Sequence, residues 1–245
     1  MGNQISLVGA GRIFIGLRSG GILRYVGQVK EFKLNVSEEV KELKDFVNGS
    51  GLADSISFIS KVEASLTFAS LSPENLAIAL QGSEEALASS VKTDEAYTAF
   101  PGGLIVLDGV SPKSVTLKKA SDDSVIPAAA NYELTPAGIF ILDNSSAISA
   151  SGTAVKVSYT TTAASVIETL IKAGEEYRIV FSGKNLARSG KGLKVDLFRA
   201  KFSPPKDLSF IGDDFANMAM TASVLADDSK SGTGISTFAK IEMEE

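Results

Sequence analysis

Apolar and polar residues alternate with a period of two along most of this chain, a pattern suited to strands with one buried face. Ile13, Ile15 and Leu17 alternate in a first strand, and Phe32, Leu34 and Val36 are separated by Lys33 and Asn35 in a second. Ile56 and Phe58, then Val62, Ala64, Leu66 and Phe68, mark a third, with a bend expected near Ser60. Later come Tyr177, Ile179 and Phe181, and then Val195, Leu197 and Arg199, with Phe198, Ala200 and Phe202 facing the other way. Met218, Met220, Ala222 and Val224 share one face of a final long strand. Between about 95 and 162 the strands are shorter, with turns at Asp108-Gly109 and Pro136-Ala137-Gly138. Ser189-Gly190-Lys191-Gly192 reads as a hairpin turn, and Pro204-Pro205 ends a strand. The chain is therefore mainly β, and its length suits one large β domain or two smaller ones.

A helix interrupts the pattern. Ser72 can cap free N–H groups, Pro73 gives up no hydrogen bond at the first position, and Glu74 suits the positive end of the helix dipole. Leu76, Ala77 and Leu80 form its apolar stripe, and Gly82 is the expected stop. A second short helix is expected over Glu84–Val91, and Thr160 to Ala164 reads as a hinge back into the rest of the chain.

One segment fits neither pattern. Ser37 to Ser55 is rich in Glu and Lys and contains Asn48-Gly49-Ser50-Gly51, where Asn and Gly tolerate positive φ. It is longer than a connection within a core needs to be, and such loops tend to be functional. It reads as a long hairpin arm, too polar to pack in its own core. Its charged residues Glu38, Glu39, Lys41, Glu42, Lys44 and Asp45 are the candidate functional residues.

Composition removes most chemistry. The chain has no His and no Cys, so the commonest general base, thiolate nucleophiles, disulfides and the usual zinc ligands are all missing. A formal charge of −5 argues against a tightly held nucleic acid. Gly9-Ala10-Gly11 begins like a dinucleotide loop, but Phe14 stands where the third glycine belongs and no helix follows, so a structural turn is expected there. Adjacent acids such as Asp122-Asp123 and Asp227-Asp228 point to opposite faces of a strand and read as solvated turns. A Ser–Lys hydrolase needs no His, but no Ser-x-x-Lys stretch lies on an expected helix. No catalytic, cofactor-binding or metal-binding residue is expected, and the chain is read as no enzyme. Apolar runs are too short to cross a bilayer as a helix, and the first residues lack the features of a signal peptide. Met1-Gly2-Asn3-Gln4-Ile5-Ser6 fits an acylation pattern that fixes few positions and is expected to be a chance match.

Several stretches in order resemble the major tail tube protein of long-tailed bacteriophages. They are Gly27-Gln28-Val29, the charged run Glu38 to Asp45 and Leu71-Ser72-Pro73-Glu74-Asn75-Leu76-Ala77. Asn131-Tyr132-Glu133-Leu134 and Val157-Ser158-Tyr159-Thr160 follow. Then come Ile179-Val180-Phe181-Ser182-Gly183-Lys184-Asn185, Leu208 to Phe215, and Asp227-Asp228-Ser229-Lys230. The resemblance implies a β-sandwich or partly closed barrel of two antiparallel sheets with one flanking α-helix and a long hairpin arm. It implies a single domain over 1–245. The block 95–162 departs from the shortest members of that family. It is expected either as an inserted or peripheral β subregion on the outside of the tube or as a source of strands for the main sheet, with its place between apolar strands favouring partial integration. The resemblance also implies hexameric rings of this chain stacked into a tube in the virion tail, assembled in the bacterial host cytoplasm. The partners implied are a tape-measure protein, a tail terminator and DNA passing through the lumen, with no membrane and no cofactor. The arm over 37–55 is then expected to order against neighbouring copies, and an acidic lumen would let DNA slide. Rival readings are a terminator, a baseplate ring, a contractile-tail tube or an extracellular binding sandwich. The last is poorly equipped with no Trp and five Tyr.

Overall fold

A computed structural model describes residues 6–245; the acylation pattern falls largely on residues 1–5, outside them. In chain order the strands are β1 (Gly9–Leu17), β2 (Arg24–Tyr25), β3 (Val29–Lys44) and β4 (Leu52–Phe68), followed by helix α1 (Pro73–Ala79). Next come β5 (Ser83–Leu87), β6 (Val91–Ala99), β7 (Leu104–Val106), β8 (Lys113–Lys119), β9 (Tyr132–Thr135), β10 (Gly138–Ile141) and β11 (Thr153–Thr160). The chain ends with β12 (Ala164–Glu168), β13 (Tyr177–Asn185), β14 (Lys191–Ser203), β15 (Met218–Val224) and β16 (Ala239–Met243). The protein is mainly β, its sheets are antiparallel, and none closes into a barrel.

Contacts divide the chain into two compact units, residues 1–84 with 167–245, and residues 85–166. The expected 95–162 subregion lies inside the second unit, and its strands pair among themselves in two small sheets, so the favoured integration into the large sheet is not what forms.

The first unit is built on an eight-stranded sheet in the order β2-β1-β13-β14-β15-β4-β3, with β16 also on β14. Its core takes most of the alternating faces read from the sequence: Ile13 and Ile15, Ala64, Leu66 and Phe68, Ile179, and Met218, Met220, Ala222 and Val224 are buried. Leu17, expected to continue the face of Ile13 and Ile15, is exposed at the end of β1. Four inter-strand steps separate β13 from β3, about 19 Å in a flat sheet. Yet the rings of Phe181 and Phe32 lie 6.0 Å apart. The sheet therefore curls until its distant strands share one core. A register shift between β13 and β14 helps: Tyr177 faces Ala200 while Ile179 faces Leu197, so β14 carries an extra residue. That bulge puts Leu197 and Ala200, at odd spacing, both into the core. It corrects the expected grouping of Leu197 opposite in phase to Ala200.

Gly9-Ala10-Gly11 is strand, not the expected turn. Gly11 pairs with Gly183, and a Cβ on Gly11 would come within 2.4 Å of the Gly183 Cα. The Phe181 ring covers both glycines, so the pair makes room for an aromatic side chain.

Helix α1 forms as expected, with the Ser72 hydroxyl accepting from the Asn75 N–H and Pro73 in the first turn. Of the expected Leu76-Ala77-Leu80 stripe, Ala77 is buried and Leu76 packs half-buried against the core, while Leu80 is half-buried and Asn75 and Ala79 are buried as well. Buried Asn75 donates to the carbonyls of Val26 and Ser70, both at 2.8 Å, and accepts from Arg24 at 2.9 Å. The left-handed position after the helix is Gln81, at φ +49°, not Gly82. The Gln81 amide donates to the Phe202 carbonyl at 2.9 Å. Gly82 is small for another reason, since a Cβ there would lie 2.0 Å from the Glu168 carbonyl oxygen.

The expected second helix over Glu84–Val91 is absent. Ser83–Leu87 is strand β5, paired with β12. A helix of so few residues is marginal alone, and backbone pairing outweighs its modest helical propensity.

In the second unit two three-stranded sheets, β6-β11-β8 and β7-β10-β9, share one core. Val155, Val157 and Tyr159 face it from one sheet, and Ile105, Ile139 and Ile141 from the other. Asn131 is buried; its side-chain oxygen accepts from the Ser145 hydroxyl at 2.9 Å and its amide donates to the Pro127 carbonyl at 2.9 Å. The Tyr97 and Tyr159 hydroxyls both donate to Glu95, each at 2.9 Å. These bonds satisfy polar groups that would be costly to bury alone.

Asp227 was expected in a solvated turn. Instead it is 5% exposed and takes a bidentate contact from Arg18, at 2.9 and 3.4 Å. Arg199 makes the matching bidentate contact with Glu176, at 2.6 and 2.9 Å, and Arg18 reaches Glu176 at 3.6 Å. The Arg18 and Ser229 hydrogen bonds hold the Asp227 carboxyl far below its ordinary 3.8, and Arg199 lowers Glu176 from 4.5. Folded-state values below the unfolded ones mean stability that is present at neutral pH and lost as pH falls beneath those ordinary values. Asp227→Asn should therefore lower the urea midpoint at neutral pH and flatten its decline between about pH 4 and pH 2; an unchanged midpoint at neutral pH would contradict the brace. Leu66→Ala, at a position 1% exposed, should cost about 2–5 kcal/mol by the same urea titration.

Candidate functional site

The expected arm is a hairpin, and it is longer and less polar than the sequence reading has it. β3 and β4 pair from Val29–Phe68 at the root to Lys44–Leu52 near the tip. At the root, Val62, Ala64, Leu66 and Phe68 face the core. Beyond it the ribbon leaves the protein interior, and every residue from 33 to 61 except Asp45 is exposed. The expected bend near Ser60 is a bulge. Ser37 pairs with Lys61 and Glu38 with Ile59, so Ser60 is the extra residue, and its hydroxyl donates to the Ser37 carbonyl at 3.2 Å.

The six candidate residues fall on different parts of this ribbon. Glu39 faces Phe58 and Lys41 faces Ile56 on one side. Glu38 faces Ile59 and Glu42 faces Ser55 on the other, while Lys44 faces Leu52 next to the tip. Among the described residues none of these five makes an ion pair; Lys41 instead stands 5.5 Å from the Phe58 ring centre. Asp45 closes the tip, accepting from the N–H groups of Val47 and Asn48 at 2.8 and 3.0 Å. The structure thus places the six along the arm but does not gather them into one cluster.

What the charge-based reading missed is the apolar content. From Leu34 to Ile59 ten large apolar residues are exposed, with Phe46 at 81% and Val47 at 93%. The signal was available: Val40, Leu43, Ile56 and Phe58 continue a strand-like sequence past the point where the core ends. A two-stranded ribbon wet on both faces is marginal by itself. Exposed apolar surface on this scale marks an interaction surface. β3 is also the outermost strand of its sheet, so its outer row of N–H and C=O groups is unpaired by this sheet. A second apolar segment lies between β14 and β15, where Phe210, Ile211 and Phe215 are 84–94% exposed.

A cavity of about 560 Å³ in the second unit is lined by Leu87, Ser90, Lys92, Asp108, Thr161 and Val166, among others. Its polar groups answer one another: the Thr161 hydroxyl accepts from the Ser90 N–H at 2.8 Å, and Lys92 pairs with Asp108 at 3.0 Å. Among the described residues no group of acids is placed to hold a metal ion.

Residues 6–242 match the family described as Protein of unknown function UCP028589. The chain belongs to this family. No curated protein matches it. The match takes in the whole arm, both units and β1 through most of β16, so the arm is part of the family's matched span.

Because the distal arm adds no residue to the core of its own chain, the double substitution Ile56→Asp with Phe58→Asp should change the unfolding free energy by no more than about 0.5 kcal/mol. A urea titration checks this, and a large loss would mean that the ribbon packs on its own subunit.

Proposed function

We propose that this chain is a self-assembling structural subunit of the bacteriophage tail tube kind, forming hexameric rings that stack around a channel for DNA. The observation that carries the reading is the arm: a ribbon with ten large apolar residues exposed and no buried face from 33 to 61. Ordering such a ribbon costs conformational entropy that its own contacts do not return. A neighbouring copy supplies the missing burial. The open outer edge of β3 favours the same use, since a free strand edge accepts another strand through main-chain hydrogen bonds. A head-to-tail contact of this kind closes into a ring when its rotation permits, and rings that repeat the contact axially give a tube. The net charge of −5 suits a wall that phosphate slides past without sticking. In this reading a tape-measure protein and a tail terminator are the other partners, and the place of action is the virion tail.

Negative-stain microscopy of the purified protein over a range of concentrations tests the proposal. Long tubes are expected; single rings that never stack would favour the terminator reading, and monomers throughout would refute assembly. Deleting Lys44 to Leu52 should leave a folded monomer, judged by circular dichroism, that forms no tubes. Normal tubes from that deletion would overturn the role given to the arm.

A further inference from the structure

The tip of the arm carries the pair Asn48-Gly49. The Asn48 amide donates to one Asp45 carboxylate oxygen at 2.6 Å, and the Asn48 N–H donates to the other at 3.0 Å. The Val47 N–H adds a third bond at 2.8 Å. These bonds, those from Asn48 first, hold the Asp45 carboxyl below its ordinary range, so it is charged at neutral pH. Gly49 follows at φ +73°. Among the described residues no atom lies within 4 Å of the place a Cβ would occupy, and none accepts a hydrogen bond from the Gly49 N–H.

The chain's other described asparagines differ. Asn75, Asn131 and Asn185 are buried with their amides bonded. Asn35, Asn144 and Asn217 are followed by Val36, Ser145 and Met218, whose side chains crowd the backbone nitrogen. Only at Asn48, among the described residues, do a following glycine with an unbonded N–H and an exposed asparagine coincide.

We propose that Asn48 is a self-modification site, at which the Gly49 backbone nitrogen attacks the Asn48 Cγ and converts the amide to a carboxylate. The new N–Cγ bond replaces the Cγ–Nδ2 bond, and ammonia leaves carrying the proton lost by the Gly49 nitrogen. One water then opens the five-membered imide, giving aspartate when it cleaves the ring's new bond and isoaspartate when it cleaves the original peptide carbonyl. No oxidant, metal or second protein is required. The product turns a donor into an anion. The bond that joins Asn48 to Asp45 becomes a contact between two carboxylates, and like charges so close repel. The loop from Asp45 to Gly51 is then released, uncovering the backbone beside Phe46. If the arm joins copies of this chain, as the assembly reading holds, aged copies enter tubes less readily; the chemistry itself does not depend on that reading.

The test uses the full chain, incubated in mildly alkaline buffer and digested with trypsin. The peptide Asp45–Lys61 should gain about 1 Da, faster than any peptide holding another asparagine and faster than in mildly acidic buffer. Asn48→Gln should abolish the gain. Full retention of the Asn48 amide while other asparagines convert would overturn the proposal. Release of the tip is read separately, by chymotrypsin cleavage after Phe46. Aged protein and Asn48→Asp should both be cut severalfold faster than fresh protein, and adding Asp45→Asn to Asn48→Asp should restore slow cutting by removing the repulsion. Equal cutting of Asn48→Asp and fresh protein would refute the release. Tubes lost from aged protein but kept by Asn48→Gln would tie the modification to assembly, whereas a failure of all samples to assemble would bear on the tube reading alone.

Discussion

Three cross-strand pairs hold the first unit in register: Phe68 opposite Met218, Leu66 opposite Met220 and Ala64 opposite Ala222, each residue no more than 2% exposed. A slip of one residue would turn the whole face to water, and each large side chain among them contributes about 1.5–3 kcal/mol by its burial. β4 is thereby fixed in phase, and β3, hydrogen-bonded along its other edge, inherits that phase from it. The reach of the arm follows from this anchor. The ribbon continues past the last buried residue, Val62, because its backbone ladder persists where side-chain burial has ended.

The same sheet curls around its core through local departures from regular pairing. The bulge in β14 re-aims Leu197 and Ala200, and the Gly11–Gly183 pair lets the Phe181 ring lie against the backbone. With the sheet curled, Phe181 meets Phe32 from a distant strand. Arg18, Asp227, Glu176 and Arg199 tie β1 and β14 to the segments before β13 and after β15. Buried asparagines satisfy backbone groups where strands end: Asn185 accepts from the Val8 and Ala187 N–H groups, each at 3.1 Å, and donates to the Ser6 carbonyl at 2.9 Å. The interior is thus apolar and the joints are polar but paired, as buried polar groups require.

Much of this is written in the residues. The faces of β13 and β15, those of β1 as far as Ile15 and of β4 from Val62, the Ser72-Pro73 helix start, the Ser189-Gly190 hairpin and the bend at Ser60 all rest on local rules that the structure obeys. The misses have a common cause, which is long-range pairing. Ser83–Leu87 reads as helix alone and becomes strand opposite β12. β16 is five residues long and buries none of them, so only its hydrogen bonds to β14 define it. Asp227 looks like a turn residue until Arg18, over two hundred positions away in the chain, closes on it.

Period-two alternation and a capped helix are properties of neighbouring residues, so the sequence alone determined a mainly β protein with one helix. Where each strand stops being buried is a property of what lies across from it. Val36 and Val62 face each other at the end of the core, yet Val62 is 8% exposed and Val36 is 56% exposed. Nothing in their identities separates them; a sheet with one neighbour too few does. That difference gave a stretch that reads as a polar hairpin arm a row of exposed apolar side chains as well, because burial depends on the strands that fold beside a residue and not on the residue itself.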